Sequence, residues 1–290
     1  MVTNSTSFIQ AKAGMTDIGN GTQAFVAIPD FPLPTLEMQL PKSRDAFLAR
    51  KDLFERKTGP FGAVILGHER YGLVQHTLDL AAKFASYGYV AIAPDMASHW
   101  DGDKAALNRG EIPLTIGQDE ITQYMEEGLD HLLKMPEVDQ SRIVAMGVCA
   151  SGSYPLWLNA MRSEVKANIC VYGGQGTAPD IIQRITAPVL GIWGEADFVC
   201  SVDAVRSFRL LLEDNLKSYE FVLYRDMPHG WLNDTMPGRY RPRQSDQAWL
   251  RVIDFIDRVF ADDFDPERIT WEFKSNISRS YNYETNVRWE

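Results

Sequence analysis

Short apolar stretches alternate with longer segments of helical periodicity along most of this chain, and this alternation most constrains its fold. The apolar stretches are rich in β-branched residues and unbroken by polar ones, as expected for parallel strands covered on both faces. Seven stretches are predicted as strands: 25–28, 63–66, 89–93, 143–146, 169–172, 189–193 and 221–224. Five segments are predicted as helices: 74–87, 120–134, 154–162, 202–216 and 246–260. This order predicts an α/β fold, a doubly wound, mostly parallel sheet with helices on both faces.

The predicted domain covers the whole chain, residues 1–290, because neither an internal repeat nor a low-complexity linker divides it. Residues 32–59 are predicted as an insertion between the first two strands. Residues 96–117 are predicted as a lid-like loop at the carboxyl end of a strand, where pockets form in open sheets. The aromatic extension 264–290 is expected to pack on the domain or to form a homo-oligomer contact.

The charge of the chain narrows the classes of partner. A formal net charge of −10 and a pI near 5.1 disfavour nucleic acids and anionic membranes, so a small-molecule partner is expected. Long apolar runs and a basic, apolar amino-terminal signal are both missing from the sequence, which predicts a cytoplasmic protein. Its three cysteines, at 149, 170 and 200, fit neither a disulfide framework nor a zinc motif and are expected to be reduced.

The sharpest local motif is the sequence Arg-Ile-Val-Ala-Met-Gly-Val-Cys-Ala-Ser-Gly at 142–152, a predicted strand that runs directly into a helix. It places Cys149 between the small residues Gly147 and Ser151, the pattern of a nucleophile elbow, in which larger neighbours would collide. A thiol at a helix amino terminus is favoured as the thiolate, the attacking form. Two alternatives stay open: a buried structural cysteine, and Ser151 or Ser153 as the nucleophile.

A base and an acid follow the elbow in the chain. Asp197 lies just past the strand 189–193, and His229 lies just past the strand 221–224. Nucleophile, acid and then histidine is the chain order of the α/β-hydrolase triad, in which the acid orients the histidine and the histidine accepts the proton of the nucleophile. Taken singly, Asp197 has an alternative role as a helix N-cap, and His229 has one as a turn histidine.

The loop Leu-Gly-His-Glu-Arg-Tyr-Gly at 66–72 follows another predicted strand. A loop in this position supplies one backbone N–H of an oxyanion hole, here that of Arg70, and the residue after the nucleophile, Ala150, supplies the other. Glu69 is adjacent to that hole, or is a solvated loop charge. Trp100 and Trp231 are candidate substrate-binding walls, with a core position as the alternative. No metal or organic cofactor is predicted, since no group of His, Cys and carboxylate residues has the spacing of metal ligands. A Gly-rich dinucleotide-binding motif does not follow the first strand either.

Together, the Glu69 loop, the Gly-x-Cys elbow, Asp197 and the His-Gly-aromatic sequence at His229 resemble the motifs of the dienelactone hydrolase family over residues 23–260. The resemblance implies that Cys149 is the nucleophile, His229 the base and Asp197 the residue that orients it. It also implies that Glu69 holds the resting thiol protonated. The implied activity is cleavage of an ester or lactone through a thioester intermediate. Carbon–carbon or thioester cleavage by the same triad, and ligand binding without turnover, stay open.

The chain departs from the family pattern at three positions. Ser151 stands where the family usually has glycine, and Arg70 stands where an apolar residue is typical. An arginine that binds the substrate carboxylate, a few residues past the histidine, is replaced by Asn233 or a neighbour. The departures leave the dienelactone substrate itself open.

Overall fold

Nine strands form one sheet in the described part of this computed structural model, which comprises residues 10–30, 60–261 and 269–274. They are β1 (Gln10–Asp17), β2 (Gln23–Asp30), β3 (Phe61–Gly67), β4 (Val90–Pro94), β5 (Val138–Val148), β6 (Val165–Val171), β7 (Val189–Gly194), β8 (Tyr219–Tyr224) and β9 (Ile269–Lys274). Their order across the sheet is β1-β2-β4-β3-β5-β6-β7-β8-β9. The pairs β1–β2 and β2–β4 are antiparallel, and all other neighbours are parallel.

Helices cover both faces of this sheet, as the sequence predicts. They are α1 (Gln75–Ser86), α2 (Lys104–Asn108), α3 (Gln118–Leu132), α4 (Tyr154–Asn159), α5 (Pro179–Arg184), α6 (Val202–Asp214) and α7 (Pro242–Phe260). Successive side chains of a strand point to opposite faces. Accordingly, Val64 and Leu66 of β3 pack in one core cluster with α1 and α7, whereas Ala63 and Ile65 pack in a second cluster with α3.

The seven predicted strands and five predicted helices are all present, with ends that differ by a few residues. Strand β1 is not predicted from the sequence, because QAKAGMTD has no apolar run and many of its side chains are exposed. Helices α2 and α5 are not predicted either, because they are too short to show a helical period. The prediction of residues 96–117 as a loop was wrong for 104–108, which form α2 behind an Asp103 cap that accepts a hydrogen bond from the Ala106 N–H at 3.0 Å.

The predicted insertion at 32–59 lies outside the described residues. Of the extension 264–290, residues 269–274 are described, and their backbone adds β9 in parallel to β8. The segment 96–117 packs against the loop after β3, where the Arg70 Nη2 donates a hydrogen bond to the Gly110 carbonyl at 3.2 Å. Within the described ranges, no helix has the length and apolar character needed to cross a membrane.

The sheet positions the predicted site residues together. Strands β3, β5, β7 and β8 run parallel, so their carboxyl ends lie along one edge of the sheet. Each strand is followed within a few residues by a predicted site residue: Glu69, Cys149, Asp197 and His229. In open α/β sheets this edge is where ligands bind.

Candidate active site

Cys149 occupies a strained turn directly after β5. Its φ angle is +59°, in the left-handed region that side chains with a Cβ seldom adopt, and it begins a 3-10 turn over Cys149–Ser151. A Cβ on Gly147 would lie 1.9 Å from the Ser151 carbonyl oxygen, so only glycine fits at that position. The local geometry is therefore that of the predicted nucleophile elbow.

The two nearby serines are engaged in other contacts. The Ser151 hydroxyl is buried, accepts a hydrogen bond from the Val148 N–H at 2.8 Å and donates to the Val148 carbonyl at 2.9 Å. Ser153 shares a hydrogen bond with the Thr177 hydroxyl at 2.9 Å. Ser151, which replaces the usual glycine, thus closes the turn that presents Cys149. These contacts argue against either hydroxyl as the nucleophile.

Cys149, His229 and Asp197 form a continuous chain of contacts. The Cys149 Sγ lies 3.0 Å from the His229 Nε2, and the His229 Nδ1 lies 2.8 Å from an Asp197 carboxylate oxygen. The other Asp197 oxygen accepts hydrogen bonds from the N–H groups of Val199 and Cys200, at 2.7 and 2.9 Å. The helix cap that was the alternative role for Asp197 is provided instead by Ser201, which precedes α6.

The surroundings of His229 favour its protonated form. Burial alone lowers the pKa of His229, but hydrogen bonds to Asp197, Cys149 and Cys200 outweigh burial and raise the pKa to about 12. Asp197, Cys200 and His229 also bring three potential metal ligands within 4.8 Å of one another. Because both Asp197 oxygens already accept hydrogen bonds, these contacts favour a hydrogen-bonded triad, and the absence of a metal stays a prediction.

Glu69 is buried at the same edge but contacts different residues from those predicted. Its two oxygens accept hydrogen bonds from the Tyr172 hydroxyl at 3.2 Å and from the Asn233 amide at 2.7 Å, whereas the sulfur of Cys149 contacts His229. The Asn233 amide, four residues past His229, therefore holds the Glu69 carboxylate in place. In this structure, the Glu69 carboxylate is thus hydrogen-bonded to Tyr172 and Asn233, and the Cys149 sulfur contacts His229 instead of Glu69.

Tyr172 and Cys200 are two site residues that sequence reasoning missed. Tyr172 directly follows β6 with a φ of +34°, and its ring packs edge-on against the His229 ring at a centroid distance of 5.1 Å. Burial, followed by the charge of Glu69, raises the pKa of Tyr172 well above its usual value, so its hydroxyl stays a donor. The Cys200 thiol donates to the Tyr172 carbonyl at 3.0 Å, and burial raises the pKa of Cys200.

A cavity of about 490 Å³ opens above these residues, and Cys149, His229 and Glu69 line it. Arg70 and Ala150, the predicted oxyanion-hole residues, line it too. The sequence analysis did not single out several other lining residues: Phe198, Val199, Met236 and Arg239. A larger groove of about 920 Å³, beside Arg142, Lys166 and Lys217, contains none of the predicted site residues.

The prediction that Trp100 and Trp231 form walls of the pocket was wrong, because neither lines this cavity. Trp231 is fully buried and packs against Tyr224, with ring centroids 4.9 Å apart, so it belongs to the core. Trp100 donates its indole N–H to the Thr115 hydroxyl at 3.2 Å, within the segment 96–117. An aromatic residue beside a catalytic motif is as often core as pocket, and the sequence does not show which way it points.

The strand order and the elbow turn define an α/β-hydrolase. The chain belongs to the dienelactone hydrolase family, whose sequence model matches residues 46–260. It is similar to a Yersinia pestis protein provisionally named carboxymethylenebutenolidase, at 25% identity over 235 residues that cover 76% of this chain and 86% of the relative. It is also 25% identical over 227 residues to a Bradyrhizobium protein provisionally named 2-oxo-3-(5-oxofuran-2-ylidene)propanoate lactonase, covering 74% and 89%.

A solved structure supports the fold. The dienelactone hydrolase from Anabaena variabilis superposes with a TM-score of 0.58 at 17% sequence identity, and the match covers 88% of this chain and 98% of that one. The predictions of fold and family are thus confirmed, and the chain is a hydrolase of this family.

Proposed function

We propose that this hydrolase cleaves an ester or lactone with Cys149 as its nucleophile, through a thioester intermediate. The observation that carries the proposal is the 3.0 Å contact between the Cys149 sulfur and the His229 Nε2, with Asp197 bonded to the opposite nitrogen of the ring. A nucleophile, a base and a group that orients the base are the parts that covalent acyl transfer needs.

In the first half of the reaction, the thiolate sulfur adds to the carbonyl carbon and forms a C–S bond. The backbone N–H groups of Arg70 and Ala150 stabilise the negative carbonyl oxygen. As the C–O bond breaks, the His229 imidazolium donates its proton to the leaving oxygen. In the second half, His229 takes a proton from water, the resulting hydroxide attacks the thioester carbon, and the C–S bond breaks to return the thiolate and release the acid.

Glu69 has a supporting part in this proposal. Its carboxylate connects Tyr172, whose ring packs on His229, to Asn233 in the segment after His229. Both partners donate hydrogen bonds, so they hold the Glu69 carboxylate in place in the wall of the cavity. In this way Glu69 positions the Tyr172 ring that packs against His229.

Trapping the acyl-enzyme tests the proposal directly. After rapid acid quenching of a reaction with a p-nitrophenyl ester, we expect mass spectrometry of peptides to find the acyl group on Cys149. The thioester should disappear on treatment with neutral hydroxylamine, whereas an oxygen ester is more resistant. An acyl group on Ser151 or Ser153, or a burst of p-nitrophenol without any adduct on the chain, contradicts the proposed nucleophile.

The names of the relatives point to an anionic lactone as the substrate class for this chain. Among the described residues, the guanidinium of Arg239 lines the cavity without a hydrogen bond or ion pair of its own, so it is a candidate for binding the anion. We expect Arg239→Gln to raise KM for an anionic ester about tenfold and to leave kcat nearly unchanged, since the lost contact is made in both ground and transition states.

Arg184→Gln is the matched control for that substitution. It removes the same charge from an exposed side chain that pairs with Asp180, four residues away on α5. KM for a neutral ester should be unaffected by either change. An equal rise in KM for neutral and anionic esters in Arg239→Gln contradicts a role in anion binding.

All three cysteines are free thiols, which supports a reducing compartment and hence the predicted cytoplasmic location.

A further inference from the structure

Two consecutive apolar side chains are exposed at the rim of the cavity. Phe198 is 80% exposed and Val199 is 53% exposed, and both line the cavity that contains Cys149. Single exposed apolar residues are common and need no explanation. An adjacent pair that faces a reactive thiol is different, because apolar surface beside the reacting group is where an apolar part of a substrate packs.

The turn that carries these residues is held in place by the triad itself. One Asp197 oxygen accepts the N–H groups of Val199 and Cys200, at 2.7 and 2.9 Å. The Cys200 thiol in turn donates a hydrogen bond to the Tyr172 carbonyl at 3.0 Å. The backbone on either side of Phe198 is therefore fixed before a substrate arrives, which lowers the conformational entropy that binding has to restrict.

The segment after His229 adds a further apolar group to the cavity. Gly230, with a φ of +77°, has no side chain, and the Met236 sulfur lies 3.9 Å from the point where a Cβ on Gly230 would lie. Met236 also lines the cavity. A thioether is polarisable and flexible, and it makes favourable contacts with aromatic rings. Phe198, Val199 and Met236 thus form an apolar rim, the name used for these three residues below.

The chemistry of the triad identifies which part of the substrate meets the apolar rim. In the proposed reaction, His229 donates a proton from its Nε2 to the leaving oxygen, so the leaving group lies beside the imidazole ring. The apolar rim belongs to the two loops that carry Asp197 and His229, whereas the predicted oxyanion donors, Arg70 and Ala150, belong to other loops. Val199 is hydrogen-bonded to Asp197, which in turn contacts His229, so the apolar rim is connected to the imidazole that protonates the leaving group.

We propose that Phe198 determines leaving-group specificity by packing against a flat, aromatic group attached to the leaving oxygen. The assignment rests on the proposed function, because it uses the direction of proton transfer from His229. It deepens that function by naming, among the open-chain esters that the same triad could cleave, aryl esters as the class that the site accepts best. Phe198 is a specificity-determining residue here and takes no part in proton transfer.

Binding of the leaving group alone tests the assignment without requiring turnover. The fluorescence of 2-naphthol should change on titration with the Cys149→Ala chain, and Phe198→Ala in the same background should raise the dissociation constant about tenfold. Phe198→Trp should retain the binding, because it keeps a flat aromatic surface. Met161→Ala removes another exposed apolar side chain, which does not line the cavity, and should have no effect. Equal affinity for 2-naphthol with and without Phe198 overturns the proposal.

A kinetic comparison gives a second readout. The esters 2-naphthyl acetate and hexafluoroisopropyl acetate share the acyl group and have leaving alcohols of similar acidity, but only the first leaving group is flat and aromatic. We expect Phe198→Ala to lower kcat/KM about tenfold for the naphthyl ester and less than about twofold for the fluorinated one. An equal loss for both esters indicates a disturbed triad and contradicts a role in specificity. A wild-type chain that binds 2-naphthol but hydrolyses neither ester contradicts the proposed function, and with it the role of Phe198 in leaving-group specificity. Hydrolysis of both esters with no dependence on Phe198 contradicts the role of Phe198 alone.

Discussion

Cys149→Ala is expected to lower kcat/KM for any ester substrate by at least about ten-thousandfold, since the bond-forming atom is removed. The fold should survive, because Cys149 is only partly buried and the strained turn is closed by Ser151 and by Gly147. The measurement is kcat/KM with p-nitrophenyl acetate, corrected for the rate in buffer, together with the urea midpoint of unfolding. Hydrolysis that continues at the wild-type rate in Cys149→Ala contradicts the thiol mechanism.

Two further variants sharpen that test. Cys149→Ser should retain a trace of activity, about a thousandth or less, because an imidazole that prefers to keep its proton is a poor base for a hydroxyl. Cys170→Ala is the matched control, since Cys170 is a fully buried core thiol whose pKa is raised by burial. It should lower stability and leave kcat/KM within about twofold of the wild type.

The triad could be predicted from the sequence because each of its members is marked locally. Cys149 lies in an elbow motif, and Asp197 and His229 each lie just past a buried strand. The parallel order of β5, β7 and β8 then brings residues far apart in the chain to one edge of the sheet. Chain order and strand ends carry this information, so no knowledge of side-chain direction is required.

The partners of Glu69 and the apolar walls of the cavity could not be predicted, because they depend on side-chain direction and on contacts distant in sequence. Asn233 meets Glu69 across 164 residues, and no periodicity or motif links the two. Phe198 and Trp231 are both aromatic residues next to a triad member, yet Phe198 is exposed in the cavity wall and Trp231 is in the core. The sequence pattern includes Tyr172 in the apolar run of a predicted strand, but β6 ends at Val171 because the backbone of Tyr172 is left-handed.

Asp197→Asn is the second substitution with a very large expected effect, a loss of roughly a thousandfold to ten-thousandfold in kcat/KM. In the wild type, the carboxylate accepts the Nδ1–H of His229 at 2.8 Å, which leaves Nε2 directed at the Cys149 sulfur. An asparagine that keeps its oxygen on the N–H groups of Val199 and Cys200 presents an amide NH₂ to His229. The ring then accepts at Nδ1 and carries its proton on Nε2, the wrong tautomer for taking a proton from water.

The same substitution has a predicted effect on the pH dependence of stability. Although burial lowers it, hydrogen bonds to Asp197, Cys149 and Cys200 raise the folded-state pKa of His229 to about 12, against about 6.5 in the unfolded chain. Because the pKa of His229 is higher in the folded state, protonated His229 stabilises the fold. This stabilisation is full below about pH 6.5 and is lost as the pH rises through the folded-state pKa. Asp197→Asn removes the largest of the contributions that raise this pKa, so its destabilisation should be largest near pH 6 and should shrink at pH 8 and again at pH 10.

Urea unfolding of the wild type and Asp197→Asn at these three pH values measures that trend. Asp203→Asn, an exposed carboxylate in the first turn of α6 whose ion pair is at the surface, is the control and should show no such dependence. A destabilisation that grows with pH contradicts the protonated state assigned to His229. Near-wild-type kcat/KM in Asp197→Asn contradicts the role of the carboxylate in orienting the ring, because the two backbone N–H groups alone would then account for its burial.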